Sequence, residues 1–146
     1  MIRNSRPSDA YGDLYNALPF RNTIVVMDLS GGQIRYLLEQ QWSAVRDEVN
    51  ILQVSHGFSY AWDASRPIGS RIVPDSIKLD GARVDPGRIY RVAVNNYMAD
   101  GGDGLTTLKT GRNRVVGPFA LDAVAEYLRS HPDLRLPAGG RISRIN

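Results

Sequence analysis

Residues 89–104 read Ile89-Tyr90-Arg91-Val92-Ala93-Val94-Asn95-Asn96-Tyr97-Met98-Ala99-Asp100-Gly101-Gly102-Asp103-Gly104. The first six, rich in β-branched and aromatic residues, predict a strand over 89–94. That strand runs straight into three glycines grouped around one carboxylate, Asp103. Gly101, Gly102 and Gly104 permit a tight loop whose backbone comes close to a ligand and aims the carboxylate at it. The same residues also suit a plain turn with a solvated Asp. Tyr97 lies six residues before Asp103, at the strand's end, where a side chain can face a cleft.

Working outward, Asp85-Pro86-Gly87 is a turn that feeds this strand, and residues 77–79 and 82–84 flank an Asp80-Gly81 turn as a hairpin. Residues 51–55 and 58–62 read as two further strands joined by a His56-Gly57 turn, with Phe58, Tyr60 and Trp62 alternating onto one face. Closer to the N-terminus, Ser8-Asp9 can cap a helix through Ala17 that Pro19 ends, and Ile24-Val25-Val26-Met27 reads as a buried strand. Ser30 then caps a helix whose Ile34, Leu37, Leu38, Trp42 and Val45 share one face. On the C-terminal side a helix opens near Pro118, with Leu121, Val124, Ala125 and Leu128 inward, and residues 141–145 form a closing strand. Hairpins mixed with about three helices predict a single α+β domain, residues 1–146, built on a mixed β-sheet.

Composition narrows the chemistry. A chain of 146 residues is one compact domain's length, and no apolar run approaches the ~20 residues of a membrane span. The absence of Cys excludes disulfides, thiolate metal ligands and thiol nucleophiles. With only His56 and His131 available, a complete binuclear hydrolytic metal centre is not expected here. The net charge is +3, and 16 of the 18 cations are Arg, but they are interleaved with Asp from Arg3 to Arg144 and form no dense basic block. That dispersal argues against nucleic acid as a partner. The opening Met1-Ile2-Arg3-Asn4-Ser5-Arg6-Pro7 has no apolar signal-peptide core, which fits either an intracellular chain or a piece beginning downstream of one.

Two stretches, taken together, resemble a known family. Asp13-Leu14-Tyr15-Asn16-Ala17-Leu18-Pro19-Phe20 is similar to the D-x-Y-x-x-x-P-F stretch of the C-terminal domain of 5′-nucleotidases, a family that includes UDP-sugar hydrolases and 2′,3′-cyclic-nucleotide phosphodiesterases. Asn95-Asn96-Tyr97-Met98-Ala99-Asp100-Gly101-Gly102-Asp103-Gly104 is similar to that domain's N-[DN]-[FY]-x-A-x-G-G-D-G signature. Leu52-Gln53-Val54-Ser55 and Asp85-Pro86 match weaker features between them, so the resemblance covers nearly the whole chain.

The resemblance implies a nucleoside-binding domain in which Phe20 and Tyr97 clamp the base, Asp103 holds the ribose hydroxyls, and Gly101 and Gly102 shape the loop against the substrate. For either aromatic alone, core packing is the competing reading. Ile2-Arg3 resembles the end of the family's Asn-Gly-Gly-x-Ile-Arg phosphate-binding motif, with Arg6 as the other choice and a plain terminal Arg as the bland one. Arg21 departs from the Gly that relatives carry after Pro-Phe; it either reaches a ligand group or is a solvated surface charge. The resemblance further implies no catalytic residue, metal site or cofactor in this chain. Two divalent ions and a His-Asp pair would sit in a separate N-terminal metallophosphatase domain of the same polypeptide, in a periplasmic or secreted hydrolase of nucleotide catabolism. The alternative is a freestanding nucleotide-binding module without catalysis.

Overall fold

The computed structural model describes residues 7–42 and 50–146. Its centre is the strand β1, Thr23–Ser30, longer than the expected 24–27. Val25, Met27 and Leu29 alternate onto its buried face, as a period of two requires. On one edge β1 pairs antiparallel along its length with β5 (Ile89–Asn95), and on the other with β6 (Arg112–Phe119), giving the order β5-β1-β6. A second, four-stranded sheet has the order β4-β3-β2-β7, from Ala82–Arg83, Lys78–Leu79, Phe58–Trp62 and Ile142–Arg144. In it β2 and β7 are parallel and the other pairs antiparallel, so the sheet is mixed as expected.

Four helices accompany the strands among the described residues: α1 (Pro7–Ala17), α2 (Gly31–Glu39), the short α3 (Asn96–Ala99) and α4 (Ala120–Ser130). Ser30 caps α2 with a full capping box: its Oγ accepts from the Gln33 N–H while the Gln33 Oε1 accepts from the Ser30 N–H. Ile34, Leu37, Leu38 and Trp42 are buried against β1 and against Tyr60 of β2, forming one core shared by both sheets. Burial raises the Tyr60 hydroxyl's pKa, an effect its hydrogen bond to Gln41 partly offsets. Phe58 and Trp62 lie half-buried on the same strand, and the Trp42 and Trp62 ring centres are 5.1 Å apart.

Several expectations need correction. Residues 51–55 form no strand, because their polar backbone is satisfied by side chains. The Leu52 N–H donates to Gln41 Oε1, the Leu52 carbonyl accepts from the Tyr60 hydroxyl, and the Val54 carbonyl accepts from Arg141. His56-Gly57 is therefore a turn but closes no hairpin, and β2 pairs with β3. The Asp80-Gly81 hairpin is present, with φ of +50° and +80° at its two turn residues. Ser8 and Asp9 fall inside α1, which begins at Pro7. Pro118 lies within β6, a strand the sequence reading did not anticipate, and α4 starts at Ala120. Leu128 is exposed, because every residue of α4 from Glu126 on is exposed; the helix is buried chiefly through Ala125. Val45 lies outside the described residues.

Glu39 is a buried carboxylate at the end of α2 whose two oxygens accept from the backbone N–H groups of Arg71 and Ile72, at 2.9 and 2.8 Å. Glu39→Gln would turn an NH₂ group toward one of these donors. Its expected cost is about 1–3 kcal/mol of stability, the penalty of an unsatisfied buried pair, measurable by urea unfolding.

Candidate functional site

The pairing around β1 brings the chain junctions that flank it together at one end of the sheet. Ile24 lies opposite Asn95 and Thr23 opposite Phe119. Phe20 therefore enters β1 where β5 hands over to α3, which carries Tyr97, and where β6 hands over to α4. Two contacts lock this corner. The Thr23 N–H donates to the Asn96 Oδ1 at 3.0 Å, and the Ala120 N–H to the Asn22 carbonyl at 2.8 Å. Neither candidate clamp ring belongs to the core: Phe20 is 74% and Tyr97 53% exposed.

Tyr97 sits on a short helix because Asn95 caps it, its side chain accepting from the Met98 N–H at 2.8 Å. From there its hydroxyl donates to Asp103 Oδ1 at 3.0 Å. Asp103 itself has φ of +57°, a left-handed conformation that Asp tolerates better than most residues. Gly101, at φ +86°, makes the turn into that loop. Gly102 has a different role. A Cβ there would lie 2.5 Å from the Tyr97 ring and 2.6 Å from the Tyr97 carbonyl oxygen, so only glycine lets the loop fold onto the tyrosine.

The loop is held from outside as well. Arg114 of β6 donates to the Ala99 carbonyl and is ion-paired with Asp100. Gln40, just beyond α2, donates to Thr106 Oγ1 at 2.8 Å and accepts from the Thr107 N–H at 3.1 Å. Leu105 and Leu108, which follow the glycines, are buried in the core. Arg114, Gln40 and Phe119 were not singled out by sequence reasoning. Their types are common, and only the folded chain places them beside the loop.

Arg21 lies with its guanidinium 5.5 Å from the centre of the Phe119 ring. Both line a cavity of about 400 Å³ with Phe20, Tyr15, Leu18, Leu121 and Asp122. A more open cleft of about 540 Å³, between α2 and the turn at Thr106–Thr110, contains none of the candidate residues. Arg3 and Arg6 lie outside the described residues. Among those described, no group of three or more His, Asp or Glu side chains is arranged to hold a metal ion, and no helix is long and apolar enough to cross a membrane.

Residues 9–110 match the family model described as 5′-nucleotidase, C-terminal domain. The chain is 34% identical over 128 residues to the apyrase of Anopheles gambiae, covering 81% of this chain and 22% of that protein. It is 33% identical over 122 residues to Endonuclease YhcR of Bacillus subtilis, covering 82% of this chain and 9% of that one. Among solved structures, the 5′-nucleotidase precursor from Thermus thermophilus superposes with a TM-score of 0.79 at 38% identity, over 93% of this chain and 28% of that chain. This chain thus spans less than a third of the length of each of these relatives, and it belongs to the 5′-nucleotidase C-terminal domain family.

Proposed function

We propose that residues 1–146 form the nucleoside-binding domain of a nucleotide hydrolase whose metallophosphatase domain lies elsewhere in the same polypeptide, N-terminal to this one, in a periplasmic or secreted enzyme. Family membership and the greater length of the relatives support the division of labour. The observation that carries the binding role is the corner itself: two exposed aromatic rings, on Phe20 and Tyr97, with the Asp103 carboxylate hydrogen-bonded to the Tyr97 hydroxyl.

The chemistry follows from the groups. Phe20 and Tyr97 offer π-faces to a base, each worth about 1–3 kcal/mol. Asp103 accepts from the ribose diol in charge-assisted hydrogen bonds of about 1.5–3 kcal/mol. The Tyr97 hydroxyl holds that carboxylate beside the ring, so base and sugar are read by one preset unit. Phosphate contacts fall to Arg3 or Arg6. Two divalent ions in the other domain would activate the attacking water, while this domain orients the ester toward them. Gly101 and Gly102 keep the loop in its shape.

Two stacked faces and a diol contact are offset by an association cost of about 4–15 kcal/mol, so adenosine is expected to bind the 146-residue chain at about millimolar Kd. Asp103→Ala should weaken adenosine by ~1–3 kcal/mol and 2′,3′-dideoxyadenosine far less, because the lost partner is the diol. NMR titration of both ligands decides this; equal losses would mean that Asp103 shapes the loop and does not hold the sugar.

Gly102→Ala drives a methyl group into the Tyr97 ring and backbone. Adenosine affinity should fall by about the stacking energy of one face, ~1–3 kcal/mol, and the Tyr97 ring resonances should shift in the unliganded chain. Wild-type affinity in this variant would remove Tyr97 from the site.

Nucleotide hydrolysis by the chain alone is expected to be absent with added manganese, zinc or cobalt, because the described residues offer no ligand cluster for two ions. Assays on repurified protein test this. Turnover abolished by a mutation within the chain would overturn the division of labour.

A further inference from the structure

Phe20 has two faces, and the cavity on one side of it is not lined by Tyr97. That cavity has three aromatic walls, Tyr15, Phe20 and Phe119, which suit a planar ring. It also contains one cation and one anion, Arg21 and Asp122, that form no ion pair with each other. Among the described residues, neither side chain has a hydrogen-bonding partner. The Phe119 ring takes up one face of the Arg21 guanidinium, so the N–H groups on its edge remain for a ligand. Asp122 stands in the first turn of α4.

A ring that satisfies both charges must carry paired acceptors on one edge and paired donors on another. Guanine does so: O6 and N7 accept from a guanidinium, and N1–H and N2–H₂ donate to a carboxylate. Adenine offers Asp122 only its single amino group and has no O6 for Arg21. We propose that the cavity between Phe20 and Phe119 is a second planar-ring subsite, separate from the Tyr97 and Asp103 site and selective for guanine through Arg21 and Asp122. The two sites share Phe20 as a wall, so the proposal rests on the nucleoside-binding reading only in treating that ring as a ligand surface.

NMR titration of the 146-residue chain with GMP and AMP tests it. GMP should shift the amides of Phe119, Leu121 and Asp122 and bind there about tenfold more tightly than AMP, with IMP, which lacks the N2 amino group, in between. Asp122→Asn and Arg21→Gln should each erase the advantage of GMP, and Tyr97→Ala should leave it intact. Equal affinity for GMP and AMP, shifts confined to residues 95–104, or an unchanged GMP preference in both charge variants would overturn the proposal. A GMP response at Asp122 without any adenosine response at Asp103 would instead retain this subsite and reject the clamp.

Discussion

The candidate site depends on β1 being paired on both edges while burying one face. Val25, Met27 and Leu29 are almost wholly removed from water, and at about 25 cal/mol per Å² of apolar surface this is the strand's main tie to the core. A slip of one residue would turn all three outward, so the register is strongly specified. Close packing reinforces it from the side: a Cβ at Gly111 would lie 2.3 Å from the Met27 sulfur. With register set, antiparallel geometry leaves no choice about neighbours. The end of β5 and the end of β6 must arrive beside the start of β1, bringing Tyr97 and Phe119 to the corner where Phe20 stands.

The end of α2 connects that sheet to the rest of the chain. Glu39, Gln40 and Gln41 are consecutive, and each ties a different segment. Glu39 takes the backbone at Arg71 and Ile72, Gln40 grips Thr106 and Thr107 behind the glycine loop, and Gln41 joins Leu52 to Tyr60. Because the backbone groups they serve lie outside the paired strands, these side chains supply the hydrogen bonds that a ladder would have provided. The glycine loop is thus anchored by α2 through Gln40, by β6 through Arg114, and by the buried Leu105 and Leu108. A loop fastened at these points holds its carboxylate in a preset position, which limits the ordering cost of binding in the nucleoside-binding role proposed for it.

Much of this was legible without coordinates. The apolar run of β1, the alternating aromatics of β2, the Ser30 cap and the Asp80-Gly81 hairpin are local signals, and local physics decides them. The Asn95 to Gly104 stretch announced a glycine loop around a carboxylate. Failures fell where local and tertiary forces diverge. Residues 51–55 have strand-like composition, yet side chains from Gln41 and Arg141 capture their backbone. The edge strand β6, almost wholly exposed and containing Pro118, lacks the apolar alternation that would have marked it. Leu128 has helical spacing, but α4 extends past what it covers.

The sequence by itself determined which residue types stand at the corner: two aromatics after a proline and after a strand, a carboxylate among glycines, and an arginine beside the first ring. It did so because turns, caps and periodicities depend on neighbours within a few positions. Only the tertiary structure decided that Tyr97 and Asp103 are hydrogen-bonded across Gly102, that Arg21 lies on Phe119, and that Asp122 lines the same cavity. Gly102 and the hydrogen bond answer to a left-handed turn at Gly101 and Asp103 that composition permits without requiring. Arg21 and Phe119 are far apart in sequence, and the two meet because strand pairing joins the chain segments that carry them.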